Sequence, residues 1–196
     1  MWNKKNKALI FVISGPSGSG KTTLAKKILK DPQLKDNFIK PVSYTTRPKR
    51  PQEKQGRDYF FVSVKEFQRL LKAKKILEHT RYLGYDYGTS CEGLEQAIKK
   101  NLHIILCLDI RGALFVKRMY PDRTTTIFVK PPSLNIARQR ILERQALTNP
   151  REVKKRIQLA SKELNYFNRY DCCLVNDNLS KAVKDVKRII QWRISR

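Results

Sequence analysis

The sequence predicts an α/β protein in which a parallel sheet is flanked by helices and interrupted by a small inserted lobe. Short, continuous apolar segments are typical of strands that are buried on both faces of a sheet. Amphipathic helical patterns alternate with these segments, as crossovers between parallel strands require. One stretch, residues 38–90, breaks the alternation with short extended pieces, many turns and a lone amphipathic helix at 64–73. We therefore expect this stretch to form a separate, partly antiparallel lobe.

The main sheet and its helices are assigned from these patterns. The predicted strands are residues 8–14, 103–109, 124–129 and 172–175. The predicted helices are residues 23–30, 93–100, 112–119, 133–147, 151–167 and 179–194. The sequence thus predicts one domain, with a core of about residues 1–37, 91–137 and 151–196, a lobe at 38–90 and a helical lid at 138–150.

Composition excludes several classes of protein. The chain has 196 residues, of which 40% are hydrophobic, so a packed core is expected. No apolar run approaches the roughly 18 residues that a membrane helix needs, and no membrane association is predicted. The four cysteines form no CxxC pair and only two histidines are present, which argues against a zinc site. This cysteine usage fits a reducing compartment and predicts a cytoplasmic protein.

The charge is the unusual feature of the composition. Lysine and arginine number 42 against 17 acidic residues, which gives a formal net charge of +25. Such a field attracts polyanions, and nucleic acid is one candidate partner. The basic residues are scattered along the whole chain instead of forming a tail or one helix face. A lysine-rich surface with a site for several phosphates is therefore favoured over nucleic-acid binding.

Residues 15–22 have the complete phosphate-loop pattern, GxxxxGKT, between a predicted strand and a predicted helix. The glycines allow backbone N–H groups to turn towards phosphate oxygens, and the helix presents its N-terminus to them. Lys21 would reach the β- and γ-phosphates, and the Thr22 hydroxyl would ligate Mg²⁺. The predicted ATP-binding residues of this segment are Gly15, Pro16, Ser17, Gly18, Ser19, Gly20, Lys21, Thr22 and Thr23.

Further motifs lie in the inserted lobe and beyond it. The lobe contains SYTTRPKRP at 43–51, GRDYFFV at 56–62, LEH at 77–79 and GYDYGTS at 84–90. Here the sequence closely resembles the guanylate kinase family. The resemblance spans about residues 9–190 and continues through Asp109-x-x-Gly112, Pro131-Pro132-Ser133, Arg140, Arg144, Lys155-Arg156, Tyr170-Asp171 and Asn176-Asp177.

The resemblance implies that the lobe binds GMP. It assigns the GMP phosphate to Arg47, Arg50, Tyr59 and Tyr87, and the guanine base to Ser43, Glu78, Thr89 and Asp109. These assignments make chemical sense. Guanidinium groups match a phosphate bidentately, and tyrosine hydroxyls can donate to it without adding charge. Guanine presents two adjacent N–H donors that one carboxylate can accept, whereas adenine does not.

The resemblance also implies a closing lid and an adenine contact. Arg140, Arg144 and Arg156 would contact phosphates and act in catalysis with Lys21 and Arg47. Asn176 would lie near the adenine of ATP. One departure concerns the metal, because family members often carry a second acid two residues before Asp109, where this chain has Cys107. Glutamate and glutamine flank Arg144, where the family often has glycines. The family's usual Gly-Asn-Tyr-Tyr-Gly appears here as Gly-Tyr-Asp-Tyr-Gly at 84–88, which keeps Tyr87 and changes its neighbours.

Each assignment has an ordinary structural alternative. Arg47 and Arg50 fit solvated surface charges, as most of the basic residues must be. Glu78 fits a strand cap or the partner of a lysine, Tyr59 fits the core, and Asn176 fits a helix cap. One lobe would need all of these coincidences at once, so the functional interpretation is favoured.

The implied reaction is ATP + GMP ⇌ ADP + GDP, with Mg²⁺ as cofactor and dGMP as a second acceptor. Three alternatives remain open. The first is a non-catalytic binding module of the same fold. Such a module would be expected to lack the phosphate loop or the GMP ligands, and both are present here. The second is a nucleic-acid-binding protein with salt-dependent affinity and no turnover. The third is a related kinase of another phosphorylated acceptor, against which Glu78 and Asp109 argue.

Overall fold

The computed structural model describes residues 8–144 and 150–196. Nine strands are found in this part of the chain: β1 (Ile10–Ser14), β2 (Phe38–Ile39), β3 (Ser43–Thr45), β4 (Phe60–Phe61), β5 (Ile76–Tyr82), β6 (Tyr85–Ser90), β7 (His103–Cys107), β8 (Thr124–Lys130) and β9 (Cys172–Val175). The α-helices there are α1 (Lys21–Leu29), α2 (Val64–Lys72), α3 (Cys91–Lys99), α4 (Ile110–Met119), α5 (Leu134–Arg144), α6 (Pro150–Glu163) and α7 (Leu179–Ile194).

The main sheet is parallel throughout and has the strand order β2-β7-β1-β8-β9. The predicted α/β class is confirmed, and the four strands predicted for this sheet are all in it. The sequence did not place β2 here, because it assigned Phe38 and Ile39 to the inserted lobe. A strand of two residues is too short to show the alternation of buried and exposed side chains. Its position at the sheet edge is fixed by packing, because the ring centroid of Phe38 lies 5.0 Å from that of His103 and 5.8 Å from that of Phe11.

Helices cover both faces of the main sheet, and β1 supplies side chains to both. All five residues of β1 are buried. Because side chains alternate along a strand, Phe11 and Ile13 pack with α1 and α7, whereas Ile10 and Val12 pack with α3 and α4. This burial on two faces explains the continuous apolar run in the sequence.

The inserted stretch forms a second, mixed sheet with the order β4-β3-β6-β5. β3 pairs with β4 in parallel, and β6 pairs antiparallel with both β3 and β5. Helix α2 covers this sheet through Phe67 and Leu70, which form a small core with Ile76. The sequence did not assign β5 or β6 as strands. Polar side chains at inward positions, such as Glu78 and Thr80, conceal the period-2 pattern of β5.

Two helix predictions meet limits in the structure. Helix α5 is described to Arg144, and residues 145–149 of the predicted helix and lid lie outside the described part of the chain. The helix predicted for 151–167 is α-helical only to Glu163 and continues as a 3₁₀ helix from Leu164 to Arg169. No helix in the described ranges is long and apolar enough to cross a membrane.

Burial along α7 provides a matched test of the packing. Ile190 is fully buried against α1 and the sheet, whereas Ile194 is 43% exposed on the same helix. We expect Ile190→Ala to lower the free energy of unfolding by about 2–5 kcal/mol. Ile194→Ala, the same substitution one turn later, should change it by less than about 1 kcal/mol. Urea denaturation of both variants measures the difference, and equal losses would contradict the described face of α7.

Candidate active site

The phosphate loop begins where β1 ends and leads directly into α1. Gly18 and Gly20 have left-handed backbone angles, with φ of +83° and +85°. A Cβ atom on Gly18 would lie 2.5 Å from the carbonyl oxygen of Ala137 in α5, and one on Gly20 would lie 2.4 Å from Nδ2 of Asn176. Glycine is therefore required at both positions, since α5 and the segment after β9 pack directly against the loop backbone.

Lys21 is the first residue of α1, and its side chain folds back over the loop. Its Nζ donates to the carbonyl oxygens of Gly15, at 2.9 Å, and Pro16, at 3.4 Å. The first turn of α1 contains no acidic residue, so no side chain of the helix itself weakens the positive end of its dipole. Ser19 is fully buried in the same loop, and its Oγ has no hydrogen-bond partner among the described residues. The loop thus concentrates donors and positive potential in one place.

Arg140 and Asn176 hold this loop from the other side. The Arg140 guanidinium donates to the Gly18 carbonyl at 3.4 Å and to the Asn176 carbonyl at 3.2 Å. Asn176 is 4% exposed, and its Nδ2 donates to the Ser19 carbonyl at 2.8 Å. Arg140, predicted as a catalytic lid residue, and Asn176, predicted for the ATP site, therefore both lie at the loop. The contacts that the structure shows for them are with loop and chain backbone, and the adenine contact of Asn176 stays a prediction.

In the lobe, Arg47 forms a buried ion pair that the sequence analysis missed. Its two terminal nitrogens each donate to one oxygen of Glu53 at 2.7 Å, and the Arg47 residue is only 7% exposed. The same carboxylate accepts the backbone N–H of Arg50 at 3.0 Å. The two arginines predicted for the GMP phosphate are thus held together by one acid. The spacing of Glu53, three residues after Arg50, is the sequence signal that could have revealed it.

Aromatic rings surround the Arg47 guanidinium. Its carbon lies 5.2 Å from the ring centroid of Tyr59 and 5.4 Å from that of Phe61. The rings of Tyr59 and Tyr87 meet edge to face at 6.0 Å. Burial raises the pKa of Tyr59 to about 12, so its hydroxyl stays protonated. Three of the four predicted phosphate ligands, Arg47, Tyr59 and Tyr87, therefore lie beside one another.

The predicted guanine-binding residues lie on neighbouring strands. Ser43 of β3 is directly opposite Thr89 of β6 in the antiparallel register. Oε1 of Glu78 in β5 accepts the Thr89 backbone N–H at 3.1 Å and the Thr89 hydroxyl at 2.8 Å. Glu78 is 4% exposed, and its Oε2 has no partner in the described part of the chain. An unpartnered, buried acceptor of this kind indicates a binding role.

Burial raises the pKa of Glu78 to about 7, and the nearby Asp109 carboxylate adds to this shift against the hydrogen bonds from Thr89. Asp109 itself caps α4, accepting the Gly112 N–H at 2.9 Å, and its other oxygen accepts the Thr80 hydroxyl at 2.6 Å. The structure therefore gives Asp109 a structural function beside Glu78. Its predicted contact with guanine stays a prediction.

The lid arginines and Cys107 complete the predicted set. Arg156 of α6 is 8% exposed and lies close enough to Tyr82 to lower the pKa of that hydroxyl, although burial dominates and raises it. The side chain of Arg144 lies outside the described part. Burial raises the pKa of the Cys107 thiol against Lys40, Lys21 and Lys26, so it does not replace an acid in charge.

The structure adds one acid that the sequence analysis overlooked. Glu163 is half-buried at the end of α6, where burial raises its pKa to about 7 against the charge of Lys21. The signal was its spacing of seven residues, two helical turns, from Arg156.

The central strand of the parallel sheet runs into a phosphate loop, and the lobe beside it holds a buried arginine next to two tyrosines. This combination defines the class of P-loop kinases of nucleoside monophosphates. The sequence model of the family described as guanylate kinase matches residues 7–193. The chain belongs to the guanylate kinase family.

Individual relatives agree with this assignment. The chain is 40% identical to the guanylate kinase of Thermotoga maritima over 94% of its own length and 87% of that protein. It is also 40% identical to the guanylate kinase of Desulfitobacterium hafniense, over 95% of its length and 91% of that protein. The crystal structure of guanylate kinase from Anaplasma phagocytophilum superimposes with a TM-score of 0.79 at 30% identity, covering 98% of this chain and 89% of that one.

The raised pKa of Glu78 makes stability depend on pH. The folded protein keeps this proton up to about pH 7, whereas an unfolded glutamate releases it near its ordinary value of 4.5. The free energy of unfolding therefore falls as pH rises from about 4.5 to 7. The wild type should lose on the order of 2–3 kcal/mol of unfolding free energy across this window. Glu78→Gln cannot titrate at this position and should not show this loss.

Urea unfolding gives the free energy of unfolding of wild type and variant at pH 5 and at pH 8. The wild-type minus variant difference is then compared between the two pH values, because other titrating groups contribute equally to both proteins. Glu92→Gln, at an exposed glutamate in α3, is the control and should follow the wild type. A difference for Glu78→Gln that does not change with pH would contradict the buried, protonated carboxyl.

Proposed function

We propose that this chain transfers the γ-phosphate of ATP to GMP, giving ADP and GDP, and that dGMP serves as a second acceptor. The observation that carries the choice of acceptor is the buried Glu78 carboxyl, with one oxygen held by Thr89 and the other unpartnered. A base that enters the lobe must satisfy this oxygen.

Guanine satisfies it with N1–H and the 2-amino group, whereas adenine would leave the acid unpaired. A mismatch of this kind separates substrates by several orders of magnitude, because a buried polar group without a partner is costly. Ser43 and Thr89, paired across β3 and β6, add hydroxyls on the same side of the lobe. The lobe thus recognises the base by its hydrogen-bond donors.

The acceptor phosphate is assigned to Arg47, Arg50, Tyr59 and Tyr87. The Glu53 carboxylate holds Arg47 bidentately through its two terminal nitrogens, so a phosphate would bind through guanidinium N–H groups that Glu53 does not use. Glu53 therefore keeps the guanidinium in place before substrate binds, and the two tyrosine hydroxyls donate without further positive charge. A dianionic phosphate is nucleophilic without deprotonation, so the site needs no general base.

Transfer depends on positioning and on neutralising the charge of the moving phosphoryl group. Lys21 and the loop N–H groups hold the triphosphate, and Arg140, Arg144 and Arg156 act on the transferring group. Arg140 already lies within hydrogen-bonding distance of the loop carbonyl of Gly18. We assign Asn176 to the adenine end of the nucleotide as well as to the support of the loop.

The residues at the loop fit a magnesium ion that arrives with ATP. Mg²⁺ takes few protein ligands and keeps waters and phosphate oxygens, and it prefers oxygen donors. Thr22, half-buried at the second position of α1, offers such a hydroxyl. No group of three or more His, Cys, Asp or Glu side chains suited to a metal occurs in residues 8–144 and 150–196. When bound, Mg²⁺ neutralises phosphate charge, and Thr22 is the residue assigned to it.

We also place the reaction in the cytoplasm. All four cysteines are free thiols, as a reducing compartment favours.

The acceptor assignment is tested with purified protein, ATP and Mg²⁺, adding AMP, CMP, UMP, GMP or dGMP in turn and following ADP. We expect turnover with GMP and dGMP, and rates at least about 100-fold lower with the others. Absence of turnover with every nucleotide would overturn the proposed function and favour a binding module. Turnover with a different monophosphate would favour the related-kinase alternative.

The role of Glu78 is tested by Glu78→Gln, which replaces the carboxylate by an isosteric amide. We expect kcat/KM for GMP to fall by about 100-fold or more, because the amide presents a donor to a guanine donor. KM for ATP should change less than about threefold, and Glu92→Gln should change neither value. Equal losses for GMP and ATP would show that Glu78 does not read the base.

A further inference from the structure

Lys40 is a half-buried lysine that the proposed reaction does not use. It comes directly after β2, at the start of the connection to β3 of the lobe. Strands β2, β7 and β1 are parallel neighbours, so their carboxyl ends lie at one edge of the main sheet. Open α/β sheets bind their ligands at this edge. Lys40 therefore begins on the side of the sheet where the phosphate loop follows β1.

The side chain of Lys40 extends from this edge to the residues assigned to the acceptor phosphate. Its Nζ lies 5.9 Å from the ring centroid of Tyr59. The guanidinium carbon of Arg47 lies 5.2 Å from the same centroid, and the ring of Tyr87 meets that of Tyr59 at 6.0 Å. Two cations thus lie within 6 Å of one tyrosine ring, and Lys40 is the one that comes from the core of the protein.

The ammonium group of Lys40 has no hydrogen bond and no ion pair within residues 8–144 and 150–196. Other half-buried lysines differ in this respect. Lys117 pairs with Asp171 at 3.0 Å, and Lys187 pairs with Asp31 at 2.8 Å. A charge that is partly removed from water without a counter-charge is unfavourable, and an anionic ligand would compensate for it.

The nearby thiol of Cys107 does not supply a counter-charge. Burial raises its pKa, although Lys40, Lys21 and Lys26 favour its ionised form. The thiol therefore stays neutral near pH 7. The positive charge of Lys40 remains available at the edge of the sheet.

The predicted acceptor site needs such a charge. Glu53 pairs bidentately with Arg47, so the charges of these two groups largely cancel. The hydroxyls of Tyr59 and Tyr87 donate hydrogen bonds without adding charge. A phosphate dianion at this place thus meets less positive charge than the predicted arginines alone suggest, and an ammonium group beside Tyr59 increases it.

We propose that Lys40 is a further binding residue for the acceptor nucleotide, and that its ammonium group contacts the phosphate dianion of the bound nucleoside monophosphate. This inference rests on the proposed function, because it requires the acceptor phosphate to lie beside Arg47, Tyr59 and Tyr87.

The test compares Lys40→Met with the wild type by calorimetric titration with GMP and with guanosine, which has the same base and sugar but no phosphate. Methionine keeps an unbranched side chain and removes the charge. We expect Kd for GMP to rise about tenfold, because a charge-assisted contact is lost. Kd for guanosine should change less than about twofold. An unchanged Kd for GMP, or equal increases for both ligands, would overturn the proposal.

Two further variants control for net charge and for the side chain itself. Lys65→Met removes the same charge from an exposed position in α2 of the same lobe and should follow the wild type. Lys40→Arg keeps the charge and should bind GMP within about threefold of the wild type. If Lys65→Met weakens GMP binding as much as Lys40→Met, the effect belongs to net charge and the proposal is wrong. Lys40→Gln replaces Lys40→Met in the same comparison if the latter does not fold.

Titration with Mg²⁺ and ATP distinguishes the two phosphate sites. We expect Lys40→Met to change Kd for ATP less than about twofold, because Tyr59 belongs to the acceptor side. A larger loss for ATP than for GMP would assign Lys40 to the donor triphosphate and overturn the proposal.

Nucleotide turnover separates this inference from the proposed function. If the wild type phosphorylates GMP while Lys40→Met binds GMP as tightly as the wild type, only the role of Lys40 is wrong. If the wild type neither binds nor phosphorylates GMP, the proposed function fails first.

Discussion

The turn from β1 into α1 is the constraint on which the site depends. β1 is buried on both faces of the sheet and paired on both edges, so its direction is fixed before the loop begins. The loop then packs against α5 and Asn176 so closely that only Gly18 and Gly20 leave room. The backbone that must bind phosphate is therefore shaped by its protein neighbours, and not by phosphate. The same contacts bring Arg140 to the loop.

The lobe is organised differently, by a carboxylate that holds a guanidinium group in place. A buried guanidinium without a partner is costly, and Glu53 removes that cost for Arg47. The aromatic rings of Tyr59 and Phe61 then exclude water from the pair. Arg47 thus has one defined position before a substrate arrives, which reduces the entropy lost on binding. The loop and the lobe are both arranged in advance, the first by backbone contacts and the second by charge.

Sequence patterns predicted the elements in which apolar residues are buried continuously or at the regular repeat of a strand or helix. The parallel strands and the loop between β1 and α1 belong to this group. β2 is too short to show a period, and β5 carries buried polar residues at inward positions, so neither could be assigned. The resemblance to a family predicted which polar residues matter, but not their partners. The signals for Glu53 and Glu163 are single spacings, three residues from Arg50 and seven from Arg156, which have no evident meaning until the fold is known.

The predicted guanine residues illustrate the same limit. Ser43 and Thr89 are far apart in sequence, and only the antiparallel register of β3 and β6 places them opposite each other. Glu78 could be singled out from its motif, yet its bond to Thr89 depends on the pairing of its own strand, β5, with β6. The roles of these residues towards guanine remain predictions, whereas their proximity is a property of the fold.

The electrostatics of the site are local, although the chain carries a net charge of +25. Net positive charge alone would favour the ionised form of every carboxyl. Hydrogen bonds from the Lys54 N–H, Arg57 and Lys26 do lower the pKa of Asp58 to about 2, although burial opposes them. Glu78 and Glu163, by contrast, are raised to about 7, with burial as the largest cause. Exposed charges are screened beyond about 8–10 Å, whereas burial acts on the group itself. The protonation of Glu78 and Glu163 therefore follows their immediate, desolvated surroundings and not the net charge of the chain.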